Sequence, residues 1–204
     1  MGKEAIGIGL LGLGTIGSGV ARILKEKREA IQKEVGIPLL LKWVADLDER
    51  RRSSPFITPE IFTRDARQVL EDPEVDIVIE LIGGEKPARD FIQEALDRGK
   101  HVVTANKEVI SKHGPELLAL AQARGVGLLY EASVGGGIPL IRPLKRQLQI
   151  NDISAIHTII NGTTNYILTR MEKEGLEFSA ALKEAQALGY AEANPTSDIE
   201  GFDA

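Results

Sequence analysis

The chain has 204 residues, one domain and part of a second at roughly 150 residues per domain. Lys and Arg number 25 against 30 Asp and Glu, a net charge of −5, which argues against a general nucleic-acid binder because phosphate neutralisation needs a basic face. There is no cysteine, so a disulfide scaffold, a thiolate metal site and a catalytic thiol are excluded. The N-terminus carries no secretory cleavage pattern and its apolar run is too short to span a bilayer, so the default expectation is a cytoplasmic protein with no membrane partner.

In chain order, Ala5 to Leu11 reads as a buried strand that runs into Gly12-Leu13-Gly14-Thr15-Ile16-Gly17. A helix is predicted from about Thr15 to Glu34, with Ile16, Val20, Ile23, Leu24 and Ile31 at helical spacing. Leu39 to Ala45 is a second strand ending at Asp46, and the charged, Pro-containing stretch from Leu47 to Thr63 is irregular. A short helix follows over Asp65 to Glu71, a buried strand over Val75 to Ile82, and an amphipathic helix over Pro87 to Arg98 that Gly99 stops. His101 to Thr104 is a strand, Pro115 to Arg124 a helix and Val126 to Tyr130 a strand.

Strands alternating with helices at this rhythm imply an α/β fold, a Rossmann-type doubly wound parallel sheet with helices on both faces. The run Gly135-Gly136-Gly137 changes the pattern, which places a domain over residues 1–133 and a second, partial one over 134–204. The second is expected to be α+β: a helix from Pro139 to Leu148, a strand from Ile153 to Ile160, then helices from Thr163 to Glu174 and Ser179 to Leu188. Ser197 and Glu200 form a capping-box pattern that opens a further helix, yet only four residues follow it, which predicts a truncated chain, the alternative being a frayed tail after Glu200.

The glycine motif has a stated mechanism. Gly12 permits the sharp turn, Gly14 lets backbone approach a pyrophosphate, Gly17 lets helix pack on strand, and the helix N-terminus offers N–H donors. Its position between a predicted strand and helix points to a dinucleotide site. Asp46, at the end of the second strand, is the acid expected to hold ribose hydroxyls of NAD, whereas Arg50, Arg51 and Arg52 suit the extra phosphate of NADP. The arginines equally fit a solvated charge run. Lys107, in Thr104-Ala105-Asn106-Lys107 at a strand's C-terminal end, can place an ammonium beside a substrate carbonyl, although most lysines are surface solubilisers. Glu131 followed by Val134 to Ile138 offers one carboxylate and several carbonyls to a hard monovalent cation such as Na⁺, and also reads as an interdomain hinge. The histidines lack zinc-ligand spacing.

Taken together, these stretches resemble homoserine dehydrogenase. The resemblance rests on GLGTIG at Gly12 to Gly17, TANK at Thr104 to Lys107, EASVGGGIP at Glu131 to Pro139, NGTTNYIL at Asn161 to Leu168 and LGYAEANPTSDIEGFDA at Leu188 to Ala204. It implies NAD(P)-dependent interconversion of L-homoserine and L-aspartate 4-semialdehyde, on the route to threonine, methionine and isoleucine. It implies NADP held by Leu13, Gly14, Thr15, Ile16, Thr104, Lys107, Gly189 and Glu192. It further implies a monovalent-cation site at Glu131, Val134, Gly136 and Ile138, and a substrate site at Glu192 and Asp203. Lys107 matches an active-site lysine. The family's proton-donor lysine follows the substrate-binding Asp by four residues, which from Asp203 falls three residues beyond Ala204. The partial second domain would serve substrate binding and dimerisation, with a homodimer as the assembly. Another semialdehyde dehydrogenase of related fold, or a nucleotide-binding sensor without catalysis, are the competing readings.

Overall fold

The computed structural model describes residues 3–159, 161–191 and 195–201. Contacts divide the chain into two compact units, Met1–Ser133 and Val134–Ala204.

The first unit is built from β1 (Ile6–Leu11), α1 (Thr15–Glu26), α2 (Arg28–Val35), β2 (Leu39–Ala45), β3 (Phe62–Thr63), α3 (Ala66–Glu71), β4 (Ile77–Glu80), α4 (Ala88–Asp97), β5 (His101–Thr104), α5 (Lys107–Arg124) and β6 (Leu128–Leu129). All strand pairs are parallel and the sheet order is β3-β2-β1-β4-β5-β6. The chain winds outward from β1 through β3, then crosses back to β4 on the other side of β1. That reversal opens a crevice beyond the strand ends, where doubly wound sheets bind ligands. The register lines up the ends: Leu11 faces Ala45 and Glu80, and Glu80 faces Thr104.

Two apolar clusters hold the helices to the sheet. Val78, Val102 and Leu128 pack with Leu70, Ile92, Leu96 and Leu117 from α3, α4 and α5, while Leu10 and Val44 pack with Leu13, Ala21 and Phe62. Fully burying each such Leu or Ile stabilises by about 1.5–3 kcal/mol, so the sheet and its helices form one cooperative body.

The predicted helix from Thr15 to Glu34 divides at Lys27, whose backbone leaves helical geometry at φ −106° and ψ 15°. The sequence Lys25-Glu26-Lys27-Arg28-Glu29 supplies no apolar residue to continue the inward stripe, and α2 buries nothing. α5 starts eight residues before Pro115, which lies inside the helix. Asn106 explains the earlier start: its Oδ1 accepts the Val109 N–H at 3.0 Å, so it serves as the N-cap.

In the second unit, α6 (Gly162–Glu174) and α7 (Phe178–Ala187) pack through Ile167, Ala181 and Ala185, and α8 (Thr196–Ile199) follows. Arg170 grips Glu184 through two hydrogen bonds of 3.1 and 2.9 Å. Asn161 caps α6 by accepting the Thr164 N–H at 2.8 Å. The helix predicted over Pro139 to Leu148 narrows to a π-helical turn at Pro143–Gln147. The strand predicted over Ile153 to Ile160 does not form across residues 153–159. A strand needs a neighbour to take its N–H and C=O groups, and no strand lies beside this segment among the described residues of the unit. α8 begins one residue before Ser197, with Pro195 at its N-cap, so the capping-box reading places the start late.

Surface charge fastens α5 to the loop before α4. Glu85 accepts from Lys112 at 2.8 Å and lies 3.0 Å from His113 Nε2, and these contacts lower its pKa from 4.5 to about 2. A carboxylate with a depressed folded pKa contributes stability that is present above its unfolded pKa and lost as pH falls through the folded one. The wild-type chain is therefore expected to lose stability from pH 4.5 down to about 2 through this group, and Glu85→Gln to flatten that part of the curve. Denaturant midpoints measured across this range check it; an unchanged slope in the variant would assign the acid limb to other carboxylates.

Candidate functional site

The crevice starts at the turn that leaves β1. Gly12 has φ +96°, a left-handed conformation that disfavours any side chain. A Cβ on Gly17 would stand 2.0 Å from the Gly12 carbonyl oxygen. Gly12 and Gly17 are thus required by the protein's own turn and packing. Gly14 differs: a Cβ there meets only Arg51 Nη1, at 3.6 Å. The space over Gly14 is otherwise empty of protein.

The first helical hydrogen bond of α1 runs from Ser18 N to Gly14 O at 2.8 Å. The N–H groups of Thr15, Ile16 and Gly17 therefore precede the helical ladder, as at any helix start. The first turn holds no acidic residue to neutralise the positive end of the dipole. Such an end attracts a phosphate. Thr15 and Ile16 are exposed beside it, while Leu13 points into the core.

A cavity of about 480 Å³ lies against this turn, lined by Gly12, Gly14, Asp46, Leu47, Arg51, Arg64, Leu81, Ile82 and Phe91 among others. Asp46 sits at its edge, with both carboxylate oxygens engaged. Oδ2 accepts the Leu13 N–H at 2.6 Å and Arg51 Nη1 at 2.6 Å; Oδ1 accepts the Asp48 N–H at 2.9 Å. Asp46 therefore ties the glycine turn to the end of β2 and aims Arg51 at it. The three arginines part company. Arg50 pairs with Asp48, Arg52 pairs with Glu49 and lies 4.9 Å over the Phe62 ring, and only Arg51 turns to the cavity. Arg64, just past β3, joins it there. Neither the acid's inward bonds nor Arg64 was legible in the motif, although a basic residue directly after an edge strand is a usable signal.

At the neighbouring strand ends, Thr104 is buried and donates its hydroxyl to Glu80 Oε2 at 2.7 Å. Asn106 caps α5, and Lys107 is the first residue of that helix, exposed at the same edge of the sheet. The residues present fit a dinucleotide: a turn open over Gly14, free helix N–H groups, and two guanidinium groups beside an apolar-walled cavity.

Two family models match. The homoserine dehydrogenase NAD-binding domain covers residues 12–131, and the homoserine dehydrogenase model covers residues 139–204. The chain belongs to the homoserine dehydrogenase family. It is 46% identical over 201 residues to the homoserine dehydrogenase of Bacillus subtilis strain 168, covering 98% of this chain and 46% of that relative. The crystal structure of a homoserine dehydrogenase from Thiobacillus denitrificans superposes with a TM-score of 0.90 at 45% identity, covering 98% of this chain and 46% of that one. A hyperthermophilic archaeal homoserine dehydrogenase in complex with NADPH superposes with a TM-score of 0.82 at 27% identity, covering 98% and 66%. The chain spans about half the length of the bacterial relatives it matches. Its first unit is an NAD(P)-binding domain.

The remaining family-implied residues fall as follows. Glu131 opens a short helical turn at the end of the first unit. Val134, Gly136 and Ile138 belong to the second, where Gly136 has φ +59° and the Ile138 N–H donates to Gly135 O at 3.1 Å. Gly189, φ +77°, follows α7. Glu192 and Asp203 lie outside the described residues. No cluster of three or more His, Asp or Glu with metal-site geometry occurs among the described residues, and no helix there is long and apolar enough to cross a membrane.

The geometry at Gly14 separates ligand loss from misfolding. Gly14→Val meets little protein, so its unfolding midpoint is expected to stay near wild type. Its methyl groups enter the space over the turn, and NADPH affinity is expected to fall by about tenfold or more. Fluorescence titration with NADPH and thermal unfolding on the same sample check it; retained affinity would remove the turn from the site.

Proposed function

We propose that the chain is the nucleotide-binding portion and part of the substrate portion of a homoserine dehydrogenase, which interconverts L-homoserine and L-aspartate 4-semialdehyde with NADP. The observation that carries the reading is the glycine turn open over Gly14 at the strand-order reversal, in a chain of this family. When bound, NADPH supplies the hydride to the aldehyde carbon. The protein's part is to hold the phosphates, orient the substrate and balance the charge that grows on the carbonyl oxygen.

In this reading the turn from Gly12 to Gly17 holds the pyrophosphate, with Leu13, Thr15 and Ile16 around it, and Thr104 and Gly189 border the cofactor. Asp46 acts on the protein side by holding Leu13 and Arg51, and Arg51 with Arg64 takes the 2′-phosphate. This favours NADP over NAD, because a carboxylate already filled by two N–H donors and a guanidinium is poorly free for ribose hydroxyls. Lys107 places a cation near the reacting oxygen. Glu192 and Asp203 hold the substrate's amine and hydroxyl. Glu131 with the carbonyls of Val134, Gly136 and Ile138 takes a monovalent cation such as Na⁺. The working enzyme is a cytoplasmic homodimer.

Two outcomes test this on the enzyme at the length of its relatives. Lys107→Ala is expected to cut kcat for semialdehyde reduction by about a hundredfold, with NADPH binding retained. NADPH absorbance gives the rate; a wild-type rate would remove Lys107 from the mechanism, and absence of turnover in the unmodified enzyme would sink the activity itself. Replacing Arg51 and Arg64 together by Ala is expected to weaken NADPH by about 10- to 100-fold, the worth of one or two charge-assisted hydrogen bonds, and NADH far less. Equal losses for the two cofactors would place the arginines elsewhere than the 2′-phosphate.

A further inference from the structure

Glu80 is the last residue of β4, beside the crossing point of the sheet, and is fully buried. It sits in the apolar run from Val75 to Ile82, where an aliphatic residue would pack at no electrostatic cost. Its Oε1 accepts the Ile82 N–H at 2.8 Å and its Oε2 accepts the Thr104 hydroxyl at 2.7 Å. Thr104 Oγ1 in turn accepts the Asn106 N–H at 3.0 Å. The Asn106 side chain then divides: Nδ2 donates to Gly84 O at 2.7 Å, and Oδ1 accepts the Val109 N–H at 3.0 Å. One buried carboxylate thereby orders, through two side chains, the loop at Gly83 and Gly84 and the first turn of α5, where Lys107 stands.

The direction of this chain of bonds depends on an acceptor at its root. The Thr104 oxygen takes the Asn106 N–H, and its hydroxyl gives its own proton to Glu80 Oε2. Both contacts of Glu80 are donors, and its two oxygens take one each. A buried acid is weak evidence for stability, since well-packed apolar residues often do as well. What it supplies is a single arrangement of neighbouring polar groups. That arrangement ends on the backbone that carries Lys107.

We propose that Glu80 is a positioning residue for the Lys107 ammonium. This rests on the reading of Lys107 as an active-site cation. Catalysis is steep in geometry, and a displacement near 1 Å costs about a hundredfold. Glu80→Gln keeps shape and volume but offers one acceptor where two are needed, so one of the Ile82 and Thr104 bonds must reverse or break.

The experiment is a double-mutant cycle on the enzyme at the length of its relatives, with Glu80→Gln, Lys107→Ala and the pair. Glu80→Gln is expected to lower kcat by about tenfold or more, with NADPH affinity held within about threefold. In the Lys107→Ala background it is expected to lower kcat no further, because the group it positions is gone. Wild-type kcat in Glu80→Gln overturns the proposal, as does the same fold-loss in both backgrounds, which marks a purely structural role. Full turnover by Lys107→Ala takes down the active-site reading itself and the proposal with it, an outcome separable from the first two. If Glu80→Gln fails to fold, Asn106→Ser runs the same cycle: it keeps an oxygen to cap α5 and removes the donor to Gly84, and the same non-additive loss supports the proposal while a multiplicative loss overturns it.

Discussion

Five parallel strands end on one row, Leu11, Ala45, Thr63, Glu80 and Thr104, and the groups of the first unit proposed to touch the nucleotide follow it in the chain. Parallel pairing makes this possible, since all strands leave the sheet in the same direction at the same edge. The register then does the rest. Gly12, Asp46, Leu81 and Ala105 are the next residues along, and each begins a loop at the crevice. A two-residue slip of β4 against β1 would carry Glu80 about 7 Å from its place, beyond hydrogen-bond reach of Thr104. The buried apolar clusters prevent that slip, so the core and the site are specified by the same packing.

Two carboxylates stand in or beside that row, and both are spent on the protein. Asp46 takes the Leu13 N–H and Arg51; Glu80 takes the Ile82 N–H and the Thr104 hydroxyl. Each therefore braces a backbone turn at the end of its strand. The electrostatic result is an edge of the sheet that carries donors and cations: helix N–H groups, Arg51, Arg64 and Lys107. An anionic cofactor with several phosphate oxygens meets complementary charge along its length. Had Asp46 pointed outward, as its place after β2 suggests by itself, its charge would oppose a 2′-phosphate. The bond to Leu13 turns that charge into support for the arginine.

Much of this was legible in the amino-acid pattern, for identifiable reasons. β2 and β5 read cleanly because their residue types are apolar runs bounded by charge, and the glycine motif read cleanly because its spacing reflects sterics that Gly12 and Gly17 display. The misread elements share another cause. Pro115 resembles a helix start when viewed locally, but Asn106 caps the chain nine residues before α5 reaches it, and a buried cap outweighs one lost N–H. Ile153 to Ile159 has the composition of a strand, yet composition cannot supply the neighbour that a strand requires. Lys27 interrupts a helix whose charged segment reads as continuous. Within the site, the glycine turn and Lys107 announce themselves, whereas Arg64 and the inward bonds of Glu80 depend on contacts across strands, which no linear spacing encodes. Glu192 and Asp203 rest on the family resemblance and lie outside the described residues.

Lys107 is the point where local and functional demands separate. The first turn of a helix favours carboxylates, because the exposed N–H groups carry partial positive charge. A lysine there opposes the dipole and loses a few tenths of a kcal/mol that an acid would gain. The helix offsets this by other means: Asn106 caps it, Glu108 follows within the first turn, and Val109 anchors it in the core. A residue that breaks a local rule, on a segment whose other residues all obey it, is the usual mark of a site under functional constraint. The same reasoning applies to the buried acid Glu80, which interrupts the apolar sequence Val78, Ile79 and Leu81. Both exceptions lie within four residues of a shared row of strand ends, and a hydroxyl and an amide connect them. Coupling between them follows from that short chain of bonds, because the groups it orders carry the backbone on which Lys107 stands.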